Sequence, residues 1–406
     1  MTDTGHQPRK TIDQIDVKDA TVLVRVDFNV PMQGEAISDD TRIRAAVPTI
    51  RSILDRGGRA VLMSHLGRPK GKGHESAFSL EPVARRLGEL LESEVSFPSQ
   101  DCTDDSARQA VTDLHPGGIA LLENLRFHPG EKTGDESFAR TLVTDIDVYC
   151  NDAFGTAHRA DASMVAVPDS MGDRPCVAGR LLERELQYLG TTIAEPTSPF
   201  VAILGGAKVS DKLKTIRRLA GIVDTLIVGG AMAFTLLKAR GHQTGRSLVE
   251  ESMVEEARRM IEELDASSTT LLLPSDFVCA KAPEAGTPTS VSGNDIPEDM
   301  MGLDIGPDSA ARFAKVVQEA RTVVWNGPMG LFEIRPFDAG TRAVADALVH
   351  ATNAGAITIV GGGDTASAIK GLGLGDAVSH VSTGGGASLA MLEGSPMPAL
   401  DALDSA

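Results

Sequence analysis

The sequence of 406 residues predicts an α/β fold built on parallel sheets and divided into two halves by a helix. Three observations carry this. Short apolar, β-branched runs alternate with segments of helical periodicity along the chain, the pattern of strand–crossover–strand units. The runs of the first half end in arginine and histidine, whereas those of the second half end in glycine clusters. Between the halves, Gly179–Gly190 (GRLLERELQYLG) sets Leu182, Leu186 and Leu189 at i, i+4 and i+7, one apolar helical stripe. Glu183, Arg184, Glu185 and Gln187 cover the rest of that helix, and the run Glu195-Pro196-Thr197-Ser198-Pro199 ends it.

Composition narrows the function classes. No apolar run approaches the ~18 residues that span a bilayer, and the N-terminal stretch lacks the apolar segment of a secretory signal. A cytoplasmic location and no membrane partner are expected. Cys102, Cys150, Cys176 and Cys279 are scattered without a CxxC pair, which predicts free thiols rather than a zinc site or disulfides. A formal charge of −17 repels nucleic-acid phosphates. With 12 lysines against 27 arginines and 4% aromatics, this acidic, lysine-poor composition suggests adaptation to high salt, where screening relieves self-repulsion.

In the first half, Thr21–Val26 reads as a strand ending at Asp27-Phe28-Asn29. Asp39-Asp40-Thr41 starts a helix with Ile43, Val47, Ile50 and Leu54 at helical spacing, so Arg42 sits in its first turn. Arg59–Met63 is the next strand and leads to His65 and Arg68; Ile119–Leu122 leads to Arg126, and Val148–Cys150 to Arg159. In parallel sheets ligands bind beyond the carboxyl ends of the strands. That edge gathers Arg25, His65, Arg68, Arg126 and Arg159, with Arg42 beside it. Convergent guanidinium forks bind phosphate or carboxylate bidentately, so the set reads as a pocket for a small polyanion. Asp27 and Asn29 are placed to orient its hydroxyls.

In the second half, Phe200–Leu204 runs into Gly205-Gly206-Ala207-Lys208 and on to Lys212, Thr225–Val228 into Gly229-Gly230, and Leu271–Leu273 into Pro274-Ser275-Asp276. Thr322–Trp325 runs into Asn326-Gly327-Pro328, Ala356–Val360 into Gly361-Gly362-Gly363-Asp364-Thr365, and Ala377–Val381 into Ser382-Thr383-Gly384-Gly385-Gly386. Glycine between strand and helix bares the helix N-terminus to phosphate, and repetition across one sheet predicts a nucleotide site. No GxxxxGK[ST] is present. Gly361–Ala366 matches G-x-G-x-x-A, but no acidic residue ends the next strand to hold an NAD ribose. A carboxylate at Asp364 among phosphate-binding glycines fits Mg²⁺, which takes one or two carboxylates plus phosphate oxygens. The halves together predict Mg-dependent phosphoryl transfer, with Arg42, Lys208 and Lys212 meeting the transferring group. No catalytic base stands out, which fits an acceptor that is already ionised. A nicotinamide dehydrogenase and a non-catalytic phosphometabolite-binding protein are the rival readings.

Nine motifs in order, RVDFNVP (Arg25–Pro31), SHLGRP (Ser64–Pro69), LENLRFHPGEK (Leu122–Lys132), NDAFGTAHRA (Asn151–Ala160), GGAKVSDK (Gly205–Lys212), MGLDIGP (Met301–Pro307), WNGPMGLFE (Trp325–Glu333), GGGDT (Gly361–Thr365) and STGGGAS (Ser382–Ser388), closely resemble the phosphoglycerate kinase family. The resemblance implies two Rossmann-like three-layer αβα domains joined by a central helix hinge. It implies residues 1–178 with a tail of about 390–406 as the phosphoglycerate-binding domain, 179–192 as interdomain helix, and 193–389 as the nucleotide-binding domain. The implied reaction is reversible, Mg²⁺-dependent transfer between 1,3-bisphosphoglycerate with ADP and 3-phosphoglycerate with ATP, by a monomer. Asp27, Asn29, Arg42, His65, Arg68, Arg126 and Arg159 match the acid-substrate site; Lys212, Glu333 (at the ribose), Gly362, Gly363, Asp364 and Thr365 match the nucleotide site. Arg42 and Lys208, with the loops of Gly361 and Gly384–Gly386, match groups that stabilise the transferring phosphoryl, and Asp364 the metal support. Asp161 stands where the family usually has histidine, Met301 where it commonly has tryptophan, and the tail from Met391 lacks its leucine-proline-glycine run.

Overall fold

A computed structural model of the chain describes residues 8–406. They fall into two compact units, one comprising the described residues up to Gln187 with Pro396–Ala406, the other Tyr188–Ser395.

The strands are, in chain order, β1 (Thr21–Val26), β2 (Met32–Gln33), β3 (Ala36–Ile37), β4 (Arg59–Met63), β5 (Ile119–Leu121), β6 (Val148–Asp152), β7 (Cys176–Ala178), β8 (Phe200–Leu204), β9 (Thr225–Val228), β10 (Thr270–Leu272), β11 (Asp276–Ala280), β12 (Thr289–Gly293), β13 (Met301–Ile305), β14 (Thr322–Asn326), β15 (Ile357–Gly361) and β16 (His380–Val381). In the first unit a parallel sheet runs β5-β4-β1-β6-β7. Every residue of β1 and β6 is buried, as expected of central strands covered on both faces. Val22, Val24, Val26, Leu62 and Leu121 pack with Ile43, Ile50, Val83 and Leu87, which come from the helices Thr41–Asp55 and Glu81–Leu91. The C-terminal tail belongs to this unit: Asp404 N–H donates to Cys176 O (2.8 Å), Ala399 N–H to Ala157 O (3.3 Å), and Arg9 NH1 to Leu403 O (3.0 Å). Leu400 and Leu403 are buried there without the leucine-proline-glycine run.

The second unit holds a six-stranded parallel sheet, β10-β9-β8-β14-β15-β16, around a core of Ile203, Ile227, Val323, Trp325, Phe313 and Val344. A separate antiparallel sheet, β12-β11-β13, is one feature the periodicity did not indicate. The expected strand at Ala377–Val381 is shorter: Gly375–Ala377 is a 3₁₀ turn and only His380–Val381 pairs, with β15.

The central helix is not regular. Arg180–Glu185 is α-helical, Leu186–Thr191 is a π-helical segment, and Thr192–Ala194 resumes the α form before the chain breaks at Glu195-Pro196. Leu182 and Leu189 are buried as the stripe requires, but Glu185 is wholly buried rather than part of the wet face. The start of the helix is capped from outside it. Asp152 Oδ1, at the end of β6, accepts the backbone N–H groups of Leu181 (2.9 Å) and Leu182 (3.2 Å). Burial raises the Asp152 carboxyl to about 6.

Candidate active site

In the first unit the carboxyl ends of β1, β4, β5 and β6 lie side by side, so the residues that follow them gather on one sheet edge. Two polar clamps hold the loops. Ser64 Oγ accepts the Phe28 N–H (2.9 Å), tying the end of β1 to that of β4. Asn124 joins the loops after β4 and β5: its Oδ1 accepts from Leu66 N (3.2 Å) and Arg126 N (3.0 Å), and its Nδ2 donates to Leu66 O (2.7 Å) and Phe78 O (2.9 Å).

Within that frame, Arg42 NH1 lies 3.0 Å from Asp27 Oδ2 and donates to Asn29 O (3.1 Å). Asn29 Oδ1 accepts the Gly67 N–H (2.9 Å), and Arg126 NH1 donates to Gly67 O (2.8 Å). Arg126 NH2 is 3.6 Å from the buried Asp161 carboxylate, which sets an acid against one of the clustered arginines. Arg159 Nε donates to His158 Nε2 (3.4 Å). Arg68 is exposed. His65 is buried, and burial together with the charges of Arg25, Arg126, Arg159 and Arg42 holds its pKa well below the ordinary imidazole value. It is therefore neutral at pH 7. The structure brings Asp27, Asn29, Arg42, His65, Arg126 and Arg159 together around an electropositive centre.

Arg25 departs from the expectation. It is wholly buried and directs its donors at protein: Nε at Ser163 Oγ (2.8 Å), NH1 at Val26 O, and NH2 at His65 Nδ1 (3.1 Å). Ser163 in turn donates to Glu131, which is also fully buried. Sequence reasoning singled out neither residue. Glu131 lies inside the quoted LRFHPGEK run, but its partner is 32 residues away, and no local pattern reports that pairing.

In the second unit a cavity of about 500 Å³ opens among Gly206, Gly230, Phe234, Phe277, Glu333 and Asp364. Its wall is mostly apolar, and Met301 lines it where tryptophan was the expectation from resemblance. The glycines that end β8 and β14 have a packing reason: a Cβ on Gly205 would strike the carbonyl oxygens of Gly327 and Pro328. Gly362 has φ +85° and precedes the helix Gly363–Gly371, where any Cβ would crowd Asn326. Asp364 is exposed in the first turn of that helix, whereas Thr365 is buried and its Oγ1 accepts the Gly327 N–H (2.6 Å). Gly361 ends β15; Gly384 N–H donates to Ser382 Oγ (3.1 Å), and Gly385 and Gly386 open the helix Gly386–Leu392. Lys212 Nζ donates to Asn326 Oδ1, and burial lowers its pKa against the pull of Asp211, Glu393 and Asp364. Lys208 is exposed in a loop that Glu250 anchors by accepting from Ser210 N (3.0 Å) and Ser210 Oγ (2.6 Å). Glu250 thus anchors that loop.

The model of the family described as phosphoglycerate kinase matches residues 12–395. The chain belongs to the phosphoglycerate kinase family. Curated members from Rhodopirellula baltica and Chlorobaculum tepidum are 53% and 51% identical over 402 and 398 residues, covering 98% of this chain and 100% and 99% of theirs. Among solved structures, phosphoglycerate kinase from Coxiella burnetii superposes with a TM-score of 0.87 at 36% identity, covering 97% of this chain and 98% of that one. That from Pyrococcus horikoshii gives 0.84 at 30% identity with the same coverages. Family membership makes this chain a phosphotransferase with a carboxyl acceptor. Glycolytic phosphoryl transfer is its reaction and ATP with ADP its co-substrate pair. The dehydrogenase reading of Gly361–Ala366 is set aside on the same ground.

Proposed function

We propose that the arginine cluster of the first unit binds 3-phosphoglycerate or 1,3-bisphosphoglycerate and that the second unit's cavity binds the nucleotide. The observation that supports the first assignment is the gathering of Arg42, Arg126 and Arg159 at the carboxyl edge of one parallel sheet, around the buried His65 whose pKa their charges help to lower. So much fixed positive charge in a sheet-edge cleft calls for a multivalent anion. Asp27, Asn29, His65 and Arg68 complete the contacts to that acid. In the nucleotide half, the apolar wall takes the base, Glu333 the ribose, and Lys212 with Gly362, Gly363, Asp364 and Thr365 the phosphates.

Asp364 fits a hard divalent cation: it is an exposed carboxylate on the cavity rim, in the first turn of a glycine-capped helix. Mg²⁺ held by Asp364 would supply neutralisation of the phosphate charge. The protein's own share of the chemistry is positioning. Arg42 and Lys208 stabilise the transferring group, aided by the N–H groups of the Gly361 and Gly384–Gly386 loops. The acceptor carboxylate is ionised at neutral pH, so transfer requires no general base. In-line transfer requires the two ligands to meet, and the π-interrupted helix Arg180–Ala194 is the natural hinge for that closure. A cytoplasmic monomer suits this small-molecule chemistry, and the acidic surface suits high salt.

The test is turnover of ATP with 3-phosphoglycerate in a coupled assay, with and without chelator, for wild type and Arg42→Ala. Loss of one preorganised cationic contact to the transition state is expected to lower kcat about 10²–10³-fold. Chelator is expected to abolish turnover and added Mg²⁺ to restore it. An Arg42→Ala variant with unchanged kcat would remove Arg42 from the transferring-group role.

A further inference from the structure

The geometry points to Arg25, with Ser163 and Glu131 behind it, as a positioning relay that locks His65 in the neutral tautomer carrying its proton on Nε2. The functional meaning rests on the assignment of the surrounding cluster to the acid substrate; the tautomer itself does not.

The direction of every hydrogen bond in the relay is forced. A guanidinium only donates. Arg25 NH2 lies 3.1 Å from His65 Nδ1, so Nδ1 must be the acceptor and cannot carry the proton. The Arg25 Nε donates to Ser163 Oγ at 2.8 Å, which leaves the serine proton to go elsewhere. It goes to Glu131 Oε1 at 2.6 Å, while the Ser163 backbone N–H donates to Glu131 Oε2 at 2.9 Å. Tyr149 OH fixes the same residue from the other side, donating to Ser163 O at 2.9 Å. Burial raises the Glu131 carboxyl's pKa while the Arg25 charge and the two Ser163 bonds lower it; a protonated Glu131 pointing at Ser163 would leave the serine hydroxyl with no acceptor, so the ionised carboxylate is the form that satisfies the chain. Its charge also balances the buried guanidinium. Arg25, Ser163 and Glu131 are each wholly buried, so water does not loosen the relay.

The consequence concerns what His65 can do. Protonation of the ring would place a second donor against the Arg25 guanidinium, in a field already set by Arg42, Arg126 and Arg159. The ring stays neutral, with one donor at Nε2 for an anionic oxygen. The cluster thereby gains a directional, uncharged donor among its cations. Arg25 acts through the histidine and is a positioning residue, which also accounts for a sheet-edge arginine wholly removed from solvent.

The experiment uses full-length protein labelled with ¹⁵N in its nine histidines. Two-bond ¹H–¹⁵N correlation spectra would be recorded from pH 6 to 8, with His65→Gln identifying the His65 signals by their loss. The expected result is an unprotonated Nδ1 and a protonated Nε2 across that range. A proton on Nδ1, or an imidazolium pattern, would overturn the inference. Ser163→Ala, checked for folding by near-UV circular dichroism, is expected to release Arg25 and mix the two tautomers. It is also expected to raise KM for 3-phosphoglycerate about tenfold, with kcat and the ATP KM unchanged. A wild-type spectrum and KM in Ser163→Ala would remove Ser163 and Glu131 from the relay. His65→Ala distinguishes the tautomer of the ring from its contact with substrate. Should it leave KM for 3-phosphoglycerate unchanged, His65 drops out of the substrate site while the tautomer result stands.

Discussion

Replacing Asp161 with asparagine should tighten binding of the acid substrate while weakening the fold. Asp161 Oδ2 lies 3.6 Å from Arg126 NH2, too far for a hydrogen bond, and the side chains retain 12% and 7% exposure. At an effective dielectric of ~20, two charges at that separation attract by about 4–5 kcal/mol before other terms. Most of this is offset by desolvation and by the neighbouring cations, so a residual of about 0.5–1.5 kcal/mol is expected. With Arg126 binding the acid substrate as proposed, the carboxylate would compete with that substrate for the guanidinium. Its removal should therefore lower KM for 3-phosphoglycerate about two- to tenfold at fixed ionic strength. The same change leaves Arg126 facing Arg25 and Arg159 with less compensation, and burial already lowers its pKa. Stability should fall by about 1 kcal/mol, read as a shift in the denaturant midpoint. The assay is steady-state kinetics at saturating Mg·ATP alongside urea unfolding. A KM that is unchanged or raised, in a variant with wild-type stability, would refute the competing-ion argument.

Two further outcomes follow from electrostatics. Asp304 accepts backbone N–H bonds from Ile305 (2.9 Å) and Gly340 (2.7 Å), and burial raises its carboxyl to about 7. An acid whose folded pKa is raised contributes stability that is full below its unfolded value and is lost as pH rises through the folded one. The stability advantage of wild type over Asp304→Asn should therefore shrink between pH 4 and pH 7, by at most about 4 kcal/mol; a constant difference in urea titrations would contradict this. For the whole surface, a net charge of −17 should make the melting temperature rise as KCl increases from low to molar concentration, and a flat profile would sink the salt-adaptation reading.

Much of this architecture was legible because strands in a doubly covered parallel sheet are continuous apolar runs. Thr21–Val26, Arg59–Met63, Phe200–Leu204 and Thr225–Val228 begin and end where their sequences change character. What was not legible lacks that contrast. Thr289–Gly293 (TSVSG) is an exposed strand with no apolar face, and the hairpin Met32–Ile37 consists of two-residue strands. The π segment at Leu186–Thr191 keeps enough helical spacing to pass for regular helix, and the burial of Glu185 is a tertiary effect. The site shows the same division. Strand-end arginines and glycine loops are local signals, whereas the Arg25–Ser163–Glu131 relay spans 138 residues between its first two members.

On the proposed assignment, acid substrate and nucleotide are held by separate residue sets in separate units. The direct measurement is a kinetic cross-comparison of Arg126→Ala and Asp364→Asn, determining both KM values in each variant. Arg126→Ala is expected to raise KM for 3-phosphoglycerate about tenfold or more and to leave that for ATP within about twofold. Asp364→Asn should do the reverse at limiting Mg²⁺. If each variant raised both constants equally, or raised the other ligand's, the assignment of the two sites would be wrong.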